Sequence, residues 1–142
     1  MELTPTHLGL CVSDLDASLR FWRDGLGFET REVLELGSEW ADALEVESPA
    51  EFTSHFIRKG ALEFELLFYK SPAPTGEASR SRGQIGLTHL AFGVDDLDAA
   101  LEHLVAHGGT VLETTRTALG PVELAFVADP DGTRIELIQT SA

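Results

Sequence analysis

The chain has 142 residues, of which 43% are hydrophobic and 24% are charged, a globular composition that gives no indication of disorder. Twenty-four acidic against ten basic residues give a formal net charge of −14, which argues against nucleic acid and anionic membranes as partners. The single cysteine excludes an internal disulfide, no apolar run approaches the roughly 20 residues of a membrane span, and residues 1–7 do not resemble a secretory signal. We therefore expect a cytoplasmic protein that acts on a small molecule.

An internal repeat organises the chain. Residues 6–19 recur as residues 88–101, with nine of fourteen positions identical. The ends of the two halves also match, because Phe-Glu-Leu-Leu at 64–67 aligns with Ile-Glu-Leu-Ile at 135–138. The second offset, 71 residues, is shorter than the first, 82, so the first half carries an insertion.

The first half is predicted to fold as βαβββ. A strand over 6–12 precedes a helix that begins near Ser13 or Asp14, whose side chains can cap free backbone N–H groups. Three more strands are expected from the strand-forming composition, at 30–36, 52–58 and 62–69. The insertion, 37–49, is expected to contain a short helix around 40–44, and Lys59-Gly60 is expected to form a hairpin turn.

The second half repeats this pattern. A strand over 88–94 precedes a helix that begins near Asp95 or Asp96. The three later strands are predicted at 110–115, 122–128 and 134–139, with a tight turn at Asp-Pro-Asp-Gly, 129–132. We predict one compact α+β domain made of a first module, a linker and a second module, at 1–70, 71–86 and 87–142.

Strand alternation places one His and one Glu of each half on the face of its sheet that does not contact a helix. The helix needs the apolar residues of each first strand, so His7 and His89 must point away from it. Glu65 and Glu136 alternate with apolar residues in the last strand of each half and point the same way. If the two modules close on each other, these four side chains converge as ligands of a divalent metal ion such as Zn²⁺, Ni²⁺, Co²⁺, Mn²⁺ or Fe²⁺.

The two His-Leu segments at His7 and His89, Phe-Glu-Leu-Leu at 64–67 and the run from Ala125 to Glu136 resemble the vicinal oxygen chelate superfamily. This superfamily includes glyoxalase I, methylmalonyl-CoA epimerase, extradiol dioxygenases and the fosfomycin- and bleomycin-resistance proteins. The resemblance covers nearly the whole chain and implies an open, barrel-like mixed sheet of eight strands around a metal cleft. It also implies a homodimer, with one metal ion per site.

The identities of the four ligands distinguish members of this superfamily. A set of His7, Glu65, His89 and Glu136 is similar to the bacterial form of glyoxalase I, a metal-dependent lyase or isomerase that works through a chelated enediolate. The resemblance implies that Glu136 moves the proton, with Glu65 as a metal ligand and a possible second base. The alternatives are an Fe(II) extradiol-type dioxygenase, which uses only three protein ligands, and a metal-free resistance protein that binds a drug or metabolite.

A few other residues could contribute to a site, although each has a more common structural role. Cys11 lies near His7 and could line the pocket, but a buried thiol that packs against its neighbours is the more common case. Arg80 and Arg82 could bind an anionic substrate tail, but linker side chains are usually solvated. His103 and His107 have a metal-binding spacing on a helix, yet a solvated helix surface is expected there. Another group could form an apolar wall: Trp40, Phe52 and Tyr69.

Overall fold

The computed structural model describes residues 1–78 and 81–140. The chain divides into two units, of which the first comprises Met1–Arg23 and Gly27–Gly76, and the second Asp24–Leu26 and Glu77–Ala142. Each unit contains one four-stranded mixed sheet, so the predicted α+β class and the repeated βαβββ order are confirmed. None of the helices within the described ranges has the length and hydropathy that crossing a membrane requires.

The strands of the first unit are β1 (Leu8–Cys11), β2 (Glu29–Gly37), β3 (Glu51–Lys59) and β4 (Leu62–Ser71). They form one sheet in the order β1-β4-β3-β2. Strands β1 and β4 are parallel, whereas the β4/β3 and β3/β2 pairs are antiparallel. The parallel pairing sets Gly9 opposite Glu65, and this register places His7 beside the carboxylate.

The helix of the first unit begins at the predicted cap. The Asp14 carboxylate accepts a hydrogen bond from the Ala17 N–H at 2.9 Å, and helix α1 spans Leu15–Leu19. The chain then continues as a π-helical turn over Arg20–Gly25, which places Trp22 in the core. The Trp22 ring packs on Phe28 and Phe64 with centroid separations of 5.7 and 5.1 Å, and this aromatic cluster attaches the helix to the sheet.

The insertion contains a shorter and earlier helix than the sequence predicts. A 3₁₀ turn covers Ser38–Trp40, and turns follow it, so the predicted helix around 40–44 is wrong in position. A hydrogen bond across the base of the loop explains the difference, since the Ser38 hydroxyl accepts the Ala50 N–H at 2.8 Å and fixes the start of the 3₁₀ turn. The Glu39 carboxylate also accepts the Gly37 N–H at 3.1 Å, which stabilises the start of this turn.

The elements of the second unit are β5 (Leu90–Val94), α2 (Leu97–Ala106), β6 (Thr110–Leu119), β7 (Val122–Ala128) and β8 (Arg134–Thr140). They repeat the topology of the first unit, with the strand order β5-β8-β7-β6 and a parallel β5/β8 pair. Asp96 caps α2 by accepting the Ala99 N–H at 2.9 Å. The Asp129 side chain accepts two backbone N–H groups, from Asp131 and Thr133, and so forms the predicted tight turn.

A buried histidine should make the stability of the first unit sensitive to pH. His55 is 7% exposed, its Nε2 lies 2.8 Å from the Thr30 hydroxyl, and burial together with the charge of Arg23 lowers its pKa below 6.5. Below pH 6.5, His55 binds a proton more readily in the unfolded chain than in the folded chain. The free energy of unfolding should therefore fall as the pH drops below 6.5, by at most about 1.4 kcal/mol per pH unit.

Urea unfolding at pH 7.5 and pH 5.5 measures this loss, and His55→Gln should reduce the difference between the two curves because it cannot titrate. An unchanged difference in the variant would assign the pH dependence to other groups.

Candidate metal centre

The first unit brings His7 and Glu65 together as the alternation pattern predicts. His7 directly precedes β1, and the parallel register with β4 brings its Nε2 to 3.2 Å from Glu65 Oε2. The imidazole is 36% exposed and the carboxylate 14%. Both donor atoms therefore lie at a surface that a metal ion or a substrate can reach.

The second unit builds the same pair from the repeated segments. His89 precedes β5, Glu136 lies in β8, and Nε2 is again 3.2 Å from Oε2. The exposures, 34% for the imidazole and 16% for the carboxylate, match those of the first pair closely. The repeat thus preserves the separation of the donor atoms and their access to solvent, and not only the residue types.

The surroundings of the two histidines also match. The His7 ring packs edge-on against Phe56, and the His89 ring against Phe126, each at a centroid separation of 5.2 Å. A preceding threonine hydroxyl lies near each Nδ1, at 3.2 Å for Thr6 and 2.8 Å for Thr88. When Nδ1 donates its proton to that hydroxyl, Nε2 keeps its lone pair and can bind a metal.

The two glutamates differ in one respect. The buried Ser54 hydroxyl donates a short hydrogen bond to Glu65 Oε1, whereas the strand register places Leu124 at the corresponding position of the second unit. Ser54 and Phe56 were not predicted as site residues, although the alternation of side chains along β3 places both on the sheet face that carries Glu65. Ser54 therefore restrains the Glu65 carboxylate through a hydrogen bond that Leu124 cannot provide to Glu136.

Removal of the Ser54 hydroxyl should weaken metal binding without unfolding the chain. Ser54→Ala is expected to raise the dissociation constant for a divalent metal by about 10-fold, because groups that orient a ligand typically affect affinity by roughly 10–100-fold. Competition with a chromogenic chelator measures the change. Thr53→Ala, at the neighbouring buried position whose hydroxyl instead bonds Glu35, serves as the control and should bind metal normally.

Each unit by itself supplies two of the four predicted ligands. Across residues 1–78 and 81–140, no group of three or more His, Cys, Asp or Glu side chains is arranged to hold a metal ion. The four-ligand set of His7, Glu65, His89 and Glu136 therefore stays a prediction. The ligand atoms of this set fit a metal site, because imidazole nitrogens and carboxylate oxygens suit the borderline divalent ions of the first transition row.

An apolar cluster lies on the face of the first sheet that also carries Glu65. Tyr69 is four residues beyond Glu65 on β4 and packs on Phe52 at a ring separation of 5.2 Å. Burial, and the nearby Cys11 and Glu65, raise the pKa of Tyr69 above 10.0, so its hydroxyl stays protonated at neutral pH. The insertion contributes much of the rest of the cluster, which comprises Leu36, Ala41, Leu44, Val46, Ala50, Phe52, Leu67 and Tyr69.

The remaining candidates have mixed outcomes. Cys11 is exposed, so the expectation of a buried thiol is wrong, and Trp40 is 49% exposed and lies outside the apolar cluster. His103 Nε2 lies 2.9 Å from the Gly25 carbonyl, and His107 Nδ1 lies 2.8 Å from the carbonyl of His103. Arg80 falls outside the described residues, whereas Arg82 lies in the second unit beside a cavity.

Comparison with known proteins identifies the family. The model of the glyoxalase/bleomycin resistance protein/dioxygenase superfamily matches residues 4–137, and the chain belongs to that superfamily. It is 36% identical over 141 residues to the lactoylglutathione lyase of Haemophilus influenzae, covering 96% of this chain and 92% of that protein. It is 31% identical over 145 residues to a 2-epi-5-epi-valiolone epimerase from an Actinomyces species, covering 96% of this chain and 79% of the epimerase.

A solved structure supports the fold. A glyoxalase family protein from Bacillus cereus superposes with a TM-score of 0.84 over 100% of this chain and 97% of its own, at 17% sequence identity. The relatives named as a lyase and an epimerase indicate an enzyme of this superfamily.

Proposed function

We propose that the chain is a divalent-metal-dependent isomerase or lyase of the glyoxalase I type. The observation that carries the proposal is the pair of matching His–Glu arrangements, each with 3.2 Å between Nε2 and Oε2 and each with an imidazole that is about one third exposed. In this proposal His7, Glu65, His89 and Glu136 bind one Ni, Co, Zn, Mn or Fe ion. An ion held by these four residues would also bind two adjacent oxygens of the substrate.

The carboxylates would perform the proton transfer. A bound divalent ion would supply positive charge that stabilises the substrate oxygens as a neighbouring carbon loses its proton. Glu136 takes this proton and returns it to the adjacent carbon. Its carboxylate contacts His89, and Leu124 occupies the position from which Ser54 orients Glu65 in the first unit. Glu65, which Ser54 orients, serves as a ligand and as a possible second base.

The named relatives suggest two classes of substrate. Lactoylglutathione lyases at 36% identity favour a hemithioacetal of glutathione and a 2-oxoaldehyde as the substrate class. The epimerase relative, at 31% identity, favours a second candidate, in which Glu136 removes the proton from a carbon next to a carbonyl and Glu65 delivers a proton to the opposite face of the same carbon, which inverts it. By resemblance to the family we propose a homodimer, and from the composition of the sequence we propose that it is cytoplasmic.

Elemental analysis of the purified protein, followed by assays with defined metals, tests this proposal. We expect about one transition-metal ion per site and metal-dependent conversion of the hemithioacetal or epimerisation of a hydroxyketone. Absence of a bound metal, with no rise in melting temperature when metals are added, would favour a metal-free binding protein. Rapid, iron-specific O₂ uptake with a catechol would favour the extradiol dioxygenase instead.

A further inference from the structure

Each histidine of the two His–Glu pairs has a hydroxyl group on the side of the ring that faces away from the carboxylate. The Thr6 hydroxyl lies 3.2 Å from His7 Nδ1, and the Thr88 hydroxyl lies 2.8 Å from His89 Nδ1. The Nε2 atom of each ring lies 3.2 Å from a carboxylate oxygen of the glutamate in its pair. Each imidazole is therefore contacted at both nitrogens, by a hydroxyl at one and a carboxylate at the other.

The carboxylate determines which ring nitrogen carries the proton of a neutral imidazole. An ionised carboxylate can only accept hydrogen bonds, so a neutral ring that bonds to it through Nε2 carries its proton on that atom. The other nitrogen, Nδ1, then has a lone pair and can only accept a hydrogen bond. In this arrangement, which we call the Nε2–H form, the threonine hydroxyl donates its proton to Nδ1.

Metal binding requires the opposite arrangement, the Nδ1–H form. A histidine binds a metal through a lone pair, so Nε2 must lose its proton to solvent while Nδ1 takes one up, and the ring as a whole neither gains nor loses a proton. The separation of Nε2 and Oε2 can stay nearly the same. Bonds of about 2.1 Å at right angles place two ligand atoms about 3 Å apart, close to the observed 3.2 Å.

A threonine hydroxyl can stabilise both forms of the ring. It has one O–H donor and two lone pairs, and rotation of the hydroxyl changes it from donor to acceptor while its oxygen stays in place. The repeat contains this residue in both halves, since Thr-His-Leu occurs at 6–8 and again at 88–90. Strand pairing does not explain this recurrence, because β1 begins at Leu8 and β5 at Leu90, after the two threonines.

We propose that Thr6 and Thr88 are positioning residues, whose hydroxyls let His7 and His89 change from the Nε2–H form to the Nδ1–H form when a metal binds. The change of form rests on the proposed function, whereas the hydrogen bonds of the metal-free protein do not. Thr88 makes the larger contribution because its contact is shorter, 2.8 Å against 3.2 Å. Thr88 is also half-buried whereas Thr6 is exposed, so water competes less for its hydroxyl.

NMR measures the position of the ring proton without any assay of activity. Long-range ¹H–¹⁵N correlation spectra of the imidazole rings, recorded at pH 8.5 where a histidine is ordinarily neutral, distinguish the two forms. We expect His89 to be in the Nε2–H form in EDTA-treated, full-length protein and in the Nδ1–H form after Zn²⁺ is added. In metal-free Thr88→Val, the Nδ1 resonance should move toward that of a ring nitrogen with no donor, whereas Thr88→Ser should leave it in place.

Competition with a chromogenic chelator measures the consequence for Zn²⁺ affinity. Thr88→Val keeps the shape of the side chain but removes the acceptor for Nδ1–H, and we expect it to raise the dissociation constant for Zn²⁺ by about 10-fold. Thr88→Ser should restore most of this affinity, and Thr6→Val should lose less than Thr88→Val. Thr110→Val is the matched control, because Thr110 is an exposed threonine at the start of β6 in the same unit, and it should bind Zn²⁺ as the wild type does.

Two results would overturn the positioning role of Thr88. One is the same form of His89 with and without Zn²⁺, and the other is an equal Zn²⁺ affinity of the wild type and Thr88→Val. Failure of the wild type to bind Zn²⁺ would instead refute the proposed metal function, and the change of form with it. The metal-free spectra would still decide the hydrogen bond, because an identical Nδ1 resonance in the wild type and Thr88→Val would show that the Thr88 hydroxyl does not donate to the ring.

Discussion

Replacement of Glu136 by Gln is expected to lower kcat by about 10²–10⁴-fold while a metal ion stays bound. The amide oxygen of Gln can still approach a metal, but the amide cannot accept the proton that leaves the substrate carbon. The result would separate the proposed role of Glu136 as a base from its proposed role as a ligand. Steady-state kinetics and elemental analysis of the same preparation measure both quantities, with the hemithioacetal as substrate.

Glu123→Gln provides the comparison for this variant. Glu123 lies on the neighbouring strand β7, and its carboxylate contacts Arg116 at 2.7 Å. Its replacement removes one negative charge from the same unit without touching His89 or Glu136, so kcat should be unchanged. Full turnover by Glu136→Gln with its metal bound would show that another group moves the proton.

Much of this architecture follows from the repeat and from strand alternation. Because side chains alternate in a strand, the apolar neighbours of Glu65 and Glu136 determine which way both carboxylates point. The parallel pairing of the first and last strand of each unit then brings His7 to Glu65 and His89 to Glu136. These pairs were predictable because they depend on local pattern and on one repeated topology.

Other features depend on contacts that no sequence window contains. The π-helical turn at Arg20–Gly25 places Trp22 against Phe28 and Phe64, so aromatic packing on the sheet overrides an ordinary continuation of the helix. Strand β6 continues to Leu119, beyond its predicted end at residue 115. Its register shifts between Leu112 and Thr117, where the Thr115 hydroxyl accepts the Phe126 N–H of the neighbouring strand.

The cavity of the second unit that both Arg82 and Arg134 line could not be predicted from the sequence. Arg82 is a linker residue and Arg134 a strand residue, 52 positions apart, and each alone is typical of a solvated surface. The linker in fact anchors Arg82 on the carbonyl before His89, which brings it to the cavity. The alternation of β8 could have placed Arg134 on the face of Glu136, but nothing in the sequence relates that position to the linker.

The relation between the two His–Glu pairs leads to the second large effect. If the pairs form one four-ligand site, removal of either pair should abolish the stabilisation that a metal confers on the wild-type protein. A metal at about 100 times its dissociation constant stabilises by roughly 2.7 kcal/mol, which corresponds to a rise in Tm of roughly 9 °C for a chain of this size. In His7→Ala/Glu65→Ala, and equally in His89→Ala/Glu136→Ala, we expect a rise of less than about 2 °C.

The control for these double variants is His103→Ala/His107→Ala. These two imidazoles also lie close together, with ring centroids 4.4 Å apart, but each donates a hydrogen bond to a backbone carbonyl. Their removal should preserve the metal-induced rise in Tm. If removal of one His–Glu pair abolished the rise and removal of the other left it intact, the metal would be held by a single unit. The remaining pair would then belong to another function. Two separate two-ligand sites would instead reduce the rise in both double variants without abolishing it, because each variant would lose only its own metal.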